Sequence, residues 1–320
     1  MAGFAKNQND NIRLGIGLII GTVFTMALAD TVIKYIGHDM PLWQIFVLRS
    51  VIALCLVGLF SMCAAARNGA GNGVDWRHAG GWVAVRSVIL VFMYVTLYAA
   101  MPIVDLSVIA AVLYTSPLIT TLLSALVNAE RVPVLSWGAV LVGFGGVLLI
   151  VKPAGDRFDP AMLVPLMTAF FYSLTAVLTR SKCATVHPVV LVVALNVALI
   201  ACGLMISGGL LLAGWAGMMM PDYPFLFGSW IKIGSSIWGL MAVLAVLFVI
   251  VGAGFARAYQ LAPSVIIATF DYSYLLFATM FGMLVFAERP DALAVAGMGL
   301  IVLAGFVGLR QSSRPETAPA

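Results

Sequence analysis

Four ionisable residues sit deep inside apolar stretches of this chain: Asp30, Arg49, Arg86 and Asp271. Arg257 stands near the end of another such stretch. A charge at the centre of a membrane-spanning helix costs about 2.5–3.5 kcal/mol on insertion scales, so such groups are functional candidates by default. At 1.5 Å rise per residue, Asp30 lies about 9 Å from the end of its run and Arg49 about 12 Å into the next run from the same side. The matching depths allow the two to pair. Lys34 is one turn beyond Asp30 on the same face. The pair reads either as a gate or substrate anchor, or as a structural ion pair with Lys34 reaching to the surface. Asp271 lies about 12 Å in from the opposite side. Arg86 and Arg257 are its candidate basic partners, and Tyr272 and Tyr274 give it an aromatic, hydrogen-bonding setting. Two acid–base couples at opposite depths suit a machine that opens alternately to two sides.

Tyrosines extend this chemistry. Tyr94 and Tyr98 are one helical turn apart and share a face. Tyr114 and Tyr172 fall near the middle of their runs. Rings that carry a hydroxyl suit a cavity for amphipathic or cationic ligands, although a single tyrosine serves equally well in packing. Asn196 reads as a packing hydrogen bond between helices. Other chemistries lack their residues. Cys55, Cys63, Cys183 and Cys202 show no CxxC spacing, and three histidines without carboxylate-rich spacing do not make a metal centre. There is no GxxxxGK[ST] phosphate loop and no HExxH. ATP drive within the chain, an intramembrane enzyme and a bound cofactor are therefore not expected.

The elements that must position these residues are membrane helices. Of 320 residues, 62% are hydrophobic and 9% charged, against about 45–50% and 25% in soluble domains. The mean hydropathy is +1.08. This composition excludes a soluble enzyme, a nucleic-acid-binding domain and a disordered chain. A spanning helix needs about 20 mostly apolar residues, and ten runs qualify. They are Leu14–Ile36, Pro41–Ala64, Gly80–Ala100, Val104–Val127, Val134–Val151, Ala161–Lys182, Pro188–Ala213, Ser236–Gln260, Pro263–Phe286 and Asp291–Leu309. The expected fold class is an all-α polytopic membrane protein of ten transmembrane helices. Residues 1–12 and 311–320 are polar tails, and the segment 214–235 reads as an interfacial piece. Pro117 is expected inside the fourth helix, kinking it beside the cavity. Gly17 and Gly21 form a GxxxG on the first helix that reads as close packing within the chain or, alternatively, as a dimer seam.

The N-terminal tail has no small-residue cleavage site and reads as cytoplasmic rather than as a signal peptide. With the N-terminus inside, Lys6, Arg13, Arg67, Arg77, Arg131, Arg180, Lys182, Arg257, Arg310 and Arg314 reach the cytoplasmic face. The other face receives Lys34, Lys152, Arg157, Lys232 and Arg289. This bias places both termini in the cytoplasm by the positive-inside rule, in a multi-pass protein of the cell (inner) membrane.

The chain also repeats itself. Ala129-Glu130-Arg131 returns as Ala287-Glu288-Arg289, Ile109-Ala110 as Ile267-Ala268 and Tyr114 as Tyr272, all offset by 158 residues. Both copies end in a Gly-rich apolar run. Residues 13–151 and 160–310 then hold five helices each. Five is odd, so the copies are inverted relative to each other, as in many secondary transporters whose site lies between the halves.

These residues carry a family resemblance. Tyr114-Thr115-Ser116-Pro117-Leu118, Glu130-Arg131, Trp137-Gly138 and Gly145-Gly146-Val147 resemble the EamA repeat of the drug/metabolite transporter superfamily. Phe270-Asp271-Tyr272 through Ala287-Glu288-Arg289-Pro290 resemble the second repeat, with Tyr274-Leu275 where the first has Ser116-Pro117. The resemblance implies ten helices around a central cavity and the movement of amino acids, amines, nucleotide-type metabolites, vitamins or drugs. The expected function is thus secondary transport of a small polar or amphipathic metabolite, of amino-acid or amine type, by alternating access. The alternatives are a lipid-carrier translocase, an accessory membrane subunit, and transport of a vitamin or nucleotide-type metabolite. The expected partners are the metabolite, the lipid bilayer and a coupled proton, with no nucleic acid, in a monomer or homodimer. The expected substrate-binding and gating residues are Asp30, Arg49, Arg86, Tyr94, Tyr98, Tyr114, Tyr172, Arg257, Asp271 and Tyr272, with no catalytic or metal-binding residue.

Overall fold

The computed structural model describes residues 2–37, 40–68, 80–102, 104, 109, 112–113, 115–127, 134–151, 164–214, 223–287 and 291–312. Among these residues the secondary structure is helical, without strands. In a bilayer every backbone N–H and C=O must find a partner within the protein, and a helix satisfies them inside one segment. The elements are α1 (Ala2–Ile36), α2 (Leu42–Asn68), α3 (Gly81–Ala100), α4 (Ser116–Val127), α5 (Val134–Val151) and α6 (Val164–Lys182). They continue with α7 (Pro188–Leu212), α8 (Pro224–Phe227), α9 (Ser235–Leu261), α10 (Ser264–Asp271), α11 (Ser273–Phe286) and α12 (Ala292–Ser312). Among the described residues six stretches are long and apolar enough to cross a membrane: Ile12–Ile36, Leu42–Ser61, Gly81–Ala100, Pro188–Leu212, Ser235–Leu261 and Ile266–Phe286. The protein is an all-α polytopic membrane protein.

Helices pack in pairs far apart in sequence. The pairs are α1 with α9, α3 with α6, α2 with α7, and α5 with α12. In addition α1 packs on α10 and α11, α4 on α6, α2 on α9, and α3 on α7. Close approach at these seams rests on glycine. A side chain at Gly254 of α9 would collide with Thr22 of α1. One at Gly203 of α7 would lie 2.7 Å from Val47 Cγ2 and 2.9 Å from the Trp43 carbonyl oxygen, both on α2. The expected GxxxG seam does not form within the chain, because Gly17 and Gly21 face open space. Gly15 is the packed glycine on α1, against Ala262 and Ile267.

Several details differ from the sequence expectation. Pro117 falls in the first turn of α4 instead of its interior, where a missing N–H costs little. The ninth apolar run is interrupted at Tyr272, giving α10 and α11, and Ser273 Oγ donates to the Phe270 carbonyl there at 2.7 Å. The described part of the 214–235 segment straps the end of the bundle that joins α1 to α2. Phe225 is buried against Gly37, and Trp43 Nε1 donates to the Leu226 carbonyl at 2.7 Å. The Gln44 amide donates to the Ile231 carbonyl at 2.8 Å and accepts from the Ile231 N–H at 3.0 Å. Both Glu-Arg motifs lie outside the described residues.

Candidate functional site

The two buried aspartates are each held by a pair of tyrosines. Asp30 is fully buried on α1. Tyr98 of α3 donates to its Oδ1 at 3.1 Å, and Tyr274 of α11 donates to its Oδ2 at 2.8 Å. Asp271, at the end of α10, accepts at Oδ2 from Tyr172 of α6 at 2.6 Å and from Tyr259 of α9 at 2.9 Å. Each cradle therefore draws on three separate helices, so the two carboxyl groups tie the bundle together through hydrogen bonds from tyrosine hydroxyls.

The expected acid–base couples do not form as direct pairs. Asp30 and Arg49 lie within electrostatic reach of each other, but the carboxylate is bonded to tyrosines. The guanidinium of Arg49 instead stacks on the Phe248 ring, 3.7 Å from its centroid. Arg86 is also buried, and its Nε donates to Thr179 Oγ1 of α6 at 2.7 Å. Sequence depth gives height along a helix but not rotation about its axis, and rotation decided these partners. Lys34 reaches the ring of Phe286, 5.0 Å from its centroid.

Aromatic rings pack around each cradle. Tyr94 and Tyr98 stack with centroids 5.7 Å apart at 17°, as their one-turn spacing predicts. Tyr94 also touches Phe248 at 5.5 Å, and Phe46 touches Tyr98 at 6.0 Å. Phe255 packs between Tyr172, at 5.1 Å, and Tyr259, at 4.7 Å. A crevice of about 400 Å³ is lined by Arg86, Tyr94, Tyr172, Met26, Leu90 and Phe255 among others. A second, of about 300 Å³, is lined by Asp271, Tyr172, Tyr274, Met26, Val23, Leu113 and Ser116. Met26 and Tyr172 line both. An apolar wall with a few converging polar groups is the usual make-up of a small-molecule site.

The structure thus buries Asp30, Arg49, Arg86, Tyr94, Tyr98, Tyr172 and Asp271 in and around the two cradles and the crevices beside them. Tyr272 is buried but turns toward α5, where a methyl group added at Gly143 would lie 2.9 Å from its hydroxyl. Arg257 is exposed. Tyr114 lies outside the described residues. Asn196 bonds within its own helix, donating to the Val192 carbonyl at 2.8 Å. Among the described residues no group of His, Cys, Asp or Glu is placed to hold a metal ion.

Sequence reasoning missed Tyr259 as a site residue and gave Tyr274 only as a neighbour of Asp271. Tyr259 carried a signal: Tyr98 stands four residues before Pro102, and Tyr259 four before Pro263, each near the end of its helix. Tyr274 is the residue by which the second Tyr-containing motif departs from the first, standing where the first has Ser116.

Comparison with known proteins gives the following. The model of the EamA-like transporter family matches residues 13–152. The riboflavin transporter of Vibrio cholerae serotype O1 is 29% identical over 193 residues, which cover 60% of this chain and 59% of that protein. The pseudopaline exporter CntI of Pseudomonas aeruginosa is 27% identical over 298 residues, covering 92% and 95%. The riboflavin transporter of Rhizobium johnstonii is 30% identical over 245 residues, covering 77% and 74%. A solved crystal structure shares the fold, with a TM-score of 0.67 at 18% identity over 96% of this chain and 99% of the other.

Proposed function

The chain belongs to the EamA-like transporter family, and from that premise we propose that it is a secondary carrier, not driven by ATP, which moves a small polar or amphipathic metabolite by alternating access. It is a membrane transporter and not an enzyme; the substrate class, the coupling and the mechanism are our reading. The observation that carries it is the pair of buried aspartates, each in a two-tyrosine cradle, beside crevices lined by Arg86, Tyr94 and Tyr172. A carboxylate held by tyrosine hydroxyls can exchange one of them for a cationic group. Arg86 on the crevice wall can take an anionic one. A zwitterion of amino-acid or amine type meets both.

The architecture we propose is ten spans in two inverted repeats, 13–151 and 160–310, with cytoplasmic tails 1–12 and 311–320 in the cell (inner) membrane. Mirrored packing supports it. The contact of α1 with α9 has its counterpart in that of α6 with α3, and the contact of α2 with α9 in that of α7 with α3. Tyr98 and Tyr259 occupy matching places before their prolines. Asp30 serves the half nearer the α1–α2 connection, and Asp271 the opposite half. Displacing a tyrosine from either carboxylate biases an inward–outward equilibrium, as any ligand-driven shift must. Proton coupling at the two carboxylates is part of this reading, in a monomer or homodimer.

A second reading has one specific support. Two of the relatives above are riboflavin transporters, and an aromatic crevice suits a planar ring system. The test of function is flux of labelled solutes into and out of proteoliposomes, run side by side for an amino-acid panel, amines and riboflavin. Accumulation against a gradient without ATP supports the secondary carrier. Absence of flux for every solute, together with lipid-carrier flipping, would replace it with the translocase.

A further inference from the structure

Arg49 is fully buried on α2, and its surroundings leave most of its hydrogen-bonding capacity unused. Among the described residues Nε and Nη1 have no hydrogen-bond partner, and Nη2 reaches only Ser50 Oγ next to it, at 3.4 Å. The face of the guanidinium is well covered, by Phe248 at 3.7 Å and Phe46 at 5.7 Å. A cation on a ring is attracted by the π-electrons of its face. This serves the π-face of the guanidinium and does nothing for the N–H edge. An arginine keeps its charge in proteins and presents five donors in a fixed fork. A buried, unpaired cation is expensive. The carboxylate that could pair with it, Asp30, is instead bonded by Tyr98 and Tyr274.

We propose that Arg49 is a second anion-binding station, taking the carboxylate of the substrate behind a door formed by Phe248 and Tyr94. This deepens the transport reading and rests on it. Tyr94 faces the larger crevice, touches Phe248, and lies within electrostatic reach of both Arg86 and Arg49. Arg86 and Tyr94 are eight residues apart on α3, about 12 Å along the axis. An anionic group can thus be met first at Arg86 on the crevice and then at Arg49, once the two rings swing aside. The fork of Arg49 matches a carboxylate in two parallel hydrogen bonds, which a lysine cannot do. A carboxylate arriving there competes with Asp30 for the same cation, which couples binding to the Asp30 cradle. The station selects substrates that carry a carboxylate and rejects their amides.

The probe is 4-azidobenzoate, photolysed with purified full-length protein in nanodiscs and mapped by peptide mass spectrometry. The expected result is label on residues 44–52 of α2 and 244–252 of α9. Benzoate should compete for it and benzamide should not. Arg49→Gln should lower that label at least tenfold while leaving label around Arg86, and Arg49→Lys should fall between. Label that benzamide displaces as well as benzoate, or label confined to the Arg86 side in the unaltered protein, overturns the proposal without needing any variant to fold. Flux in proteoliposomes separates the two readings. Label at Arg49 without flux of any solute fails the transport reading alone. Flux of an acidic solute without label at Arg49 fails the second station alone.

Discussion

At Asp271 two tyrosine hydroxyls converge on a single carboxylate oxygen, from α6 at 2.6 Å and from α9 at 2.9 Å. Hydrogen bonds to a charged group contribute about 1.5–3 kcal/mol each, which is roughly 10- to 150-fold in an equilibrium. Tyr259→Phe removes one of them from a buried group and should lower the thermal stability of the purified protein by a few degrees. Tyr172→Phe touches both crevices as well, so it should reduce flux at least tenfold at a similar loss of stability. Thermal unfolding and flux measured on the same preparations separate these effects; equal flux defects in the two variants would contradict the distinction. Much of this site was legible from intramembrane charge alone, because a bilayer makes Asp30, Arg49, Arg86 and Asp271 stand out. What was not legible was which group each would bond. Arg86 turned to Thr179 and Arg49 to Phe248, because a residue's depth says nothing of the direction it faces.

The helices themselves were read closely, since apolar length is a strong signal and the runs that the structure describes are helical. Three features needed packing information. The glycines at the seams proved to be Gly203 and Gly254, whereas Gly17 and Gly21 have nothing against them. Gly203→Val should therefore destabilise the protein by about 1–3 kcal/mol through overpacking against Val47 and the Trp43 backbone. Gly17→Ala should leave the unfolding temperature unchanged or slightly higher; the reverse order would contradict the seam assigned here. The end of α11 is the second feature. Ala287 closes it in the left-handed region at φ 54°, with its N–H bonded to the Gly282 carbonyl. That conformation costs an L-residue about 1–2 kcal/mol, and the greater freedom of glycine in the unfolded chain returns part of it. Ala287→Gly should thus stabilise by about 0.5–1 kcal/mol in thermal or denaturant unfolding. The third is the strap over the α1–α2 connection, whose Gln44 bonds to Ile231 depend on a contact 187 residues away in sequence. Local patterning carries no sign of such a contact.

Across the whole molecule, the inverted repeat that we propose from the 158-residue offset would pair the contact of α1 with α9 with that of α6 with α3. On the topology we propose, an even number of spans with a cytoplasmic N-terminus brings Ser312 to the cytoplasmic side. A single cysteine placed there should be labelled by impermeant reagents only in inverted vesicles, and labelling from outside intact cells would overturn the topology. If the two aspartate cradles are the working parts of alternating access, losing a carboxylate should cost transport more than folding. Asp271 borders a crevice while Asp30 lines neither of the two and is bonded by Tyr98 and Tyr274, so Asp271 should matter more. The most direct test is flux of the transported solute in proteoliposomes carrying wild type, Asp30→Asn or Asp271→Asn at matched folded yield. We expect Asp271→Asn to lose more than tenfold of the flux, Asp30→Asn to lose less, and both to lose the pH dependence of the wild type. Near wild-type flux and pH dependence in both variants would show that the carboxylates only hold the bundle together.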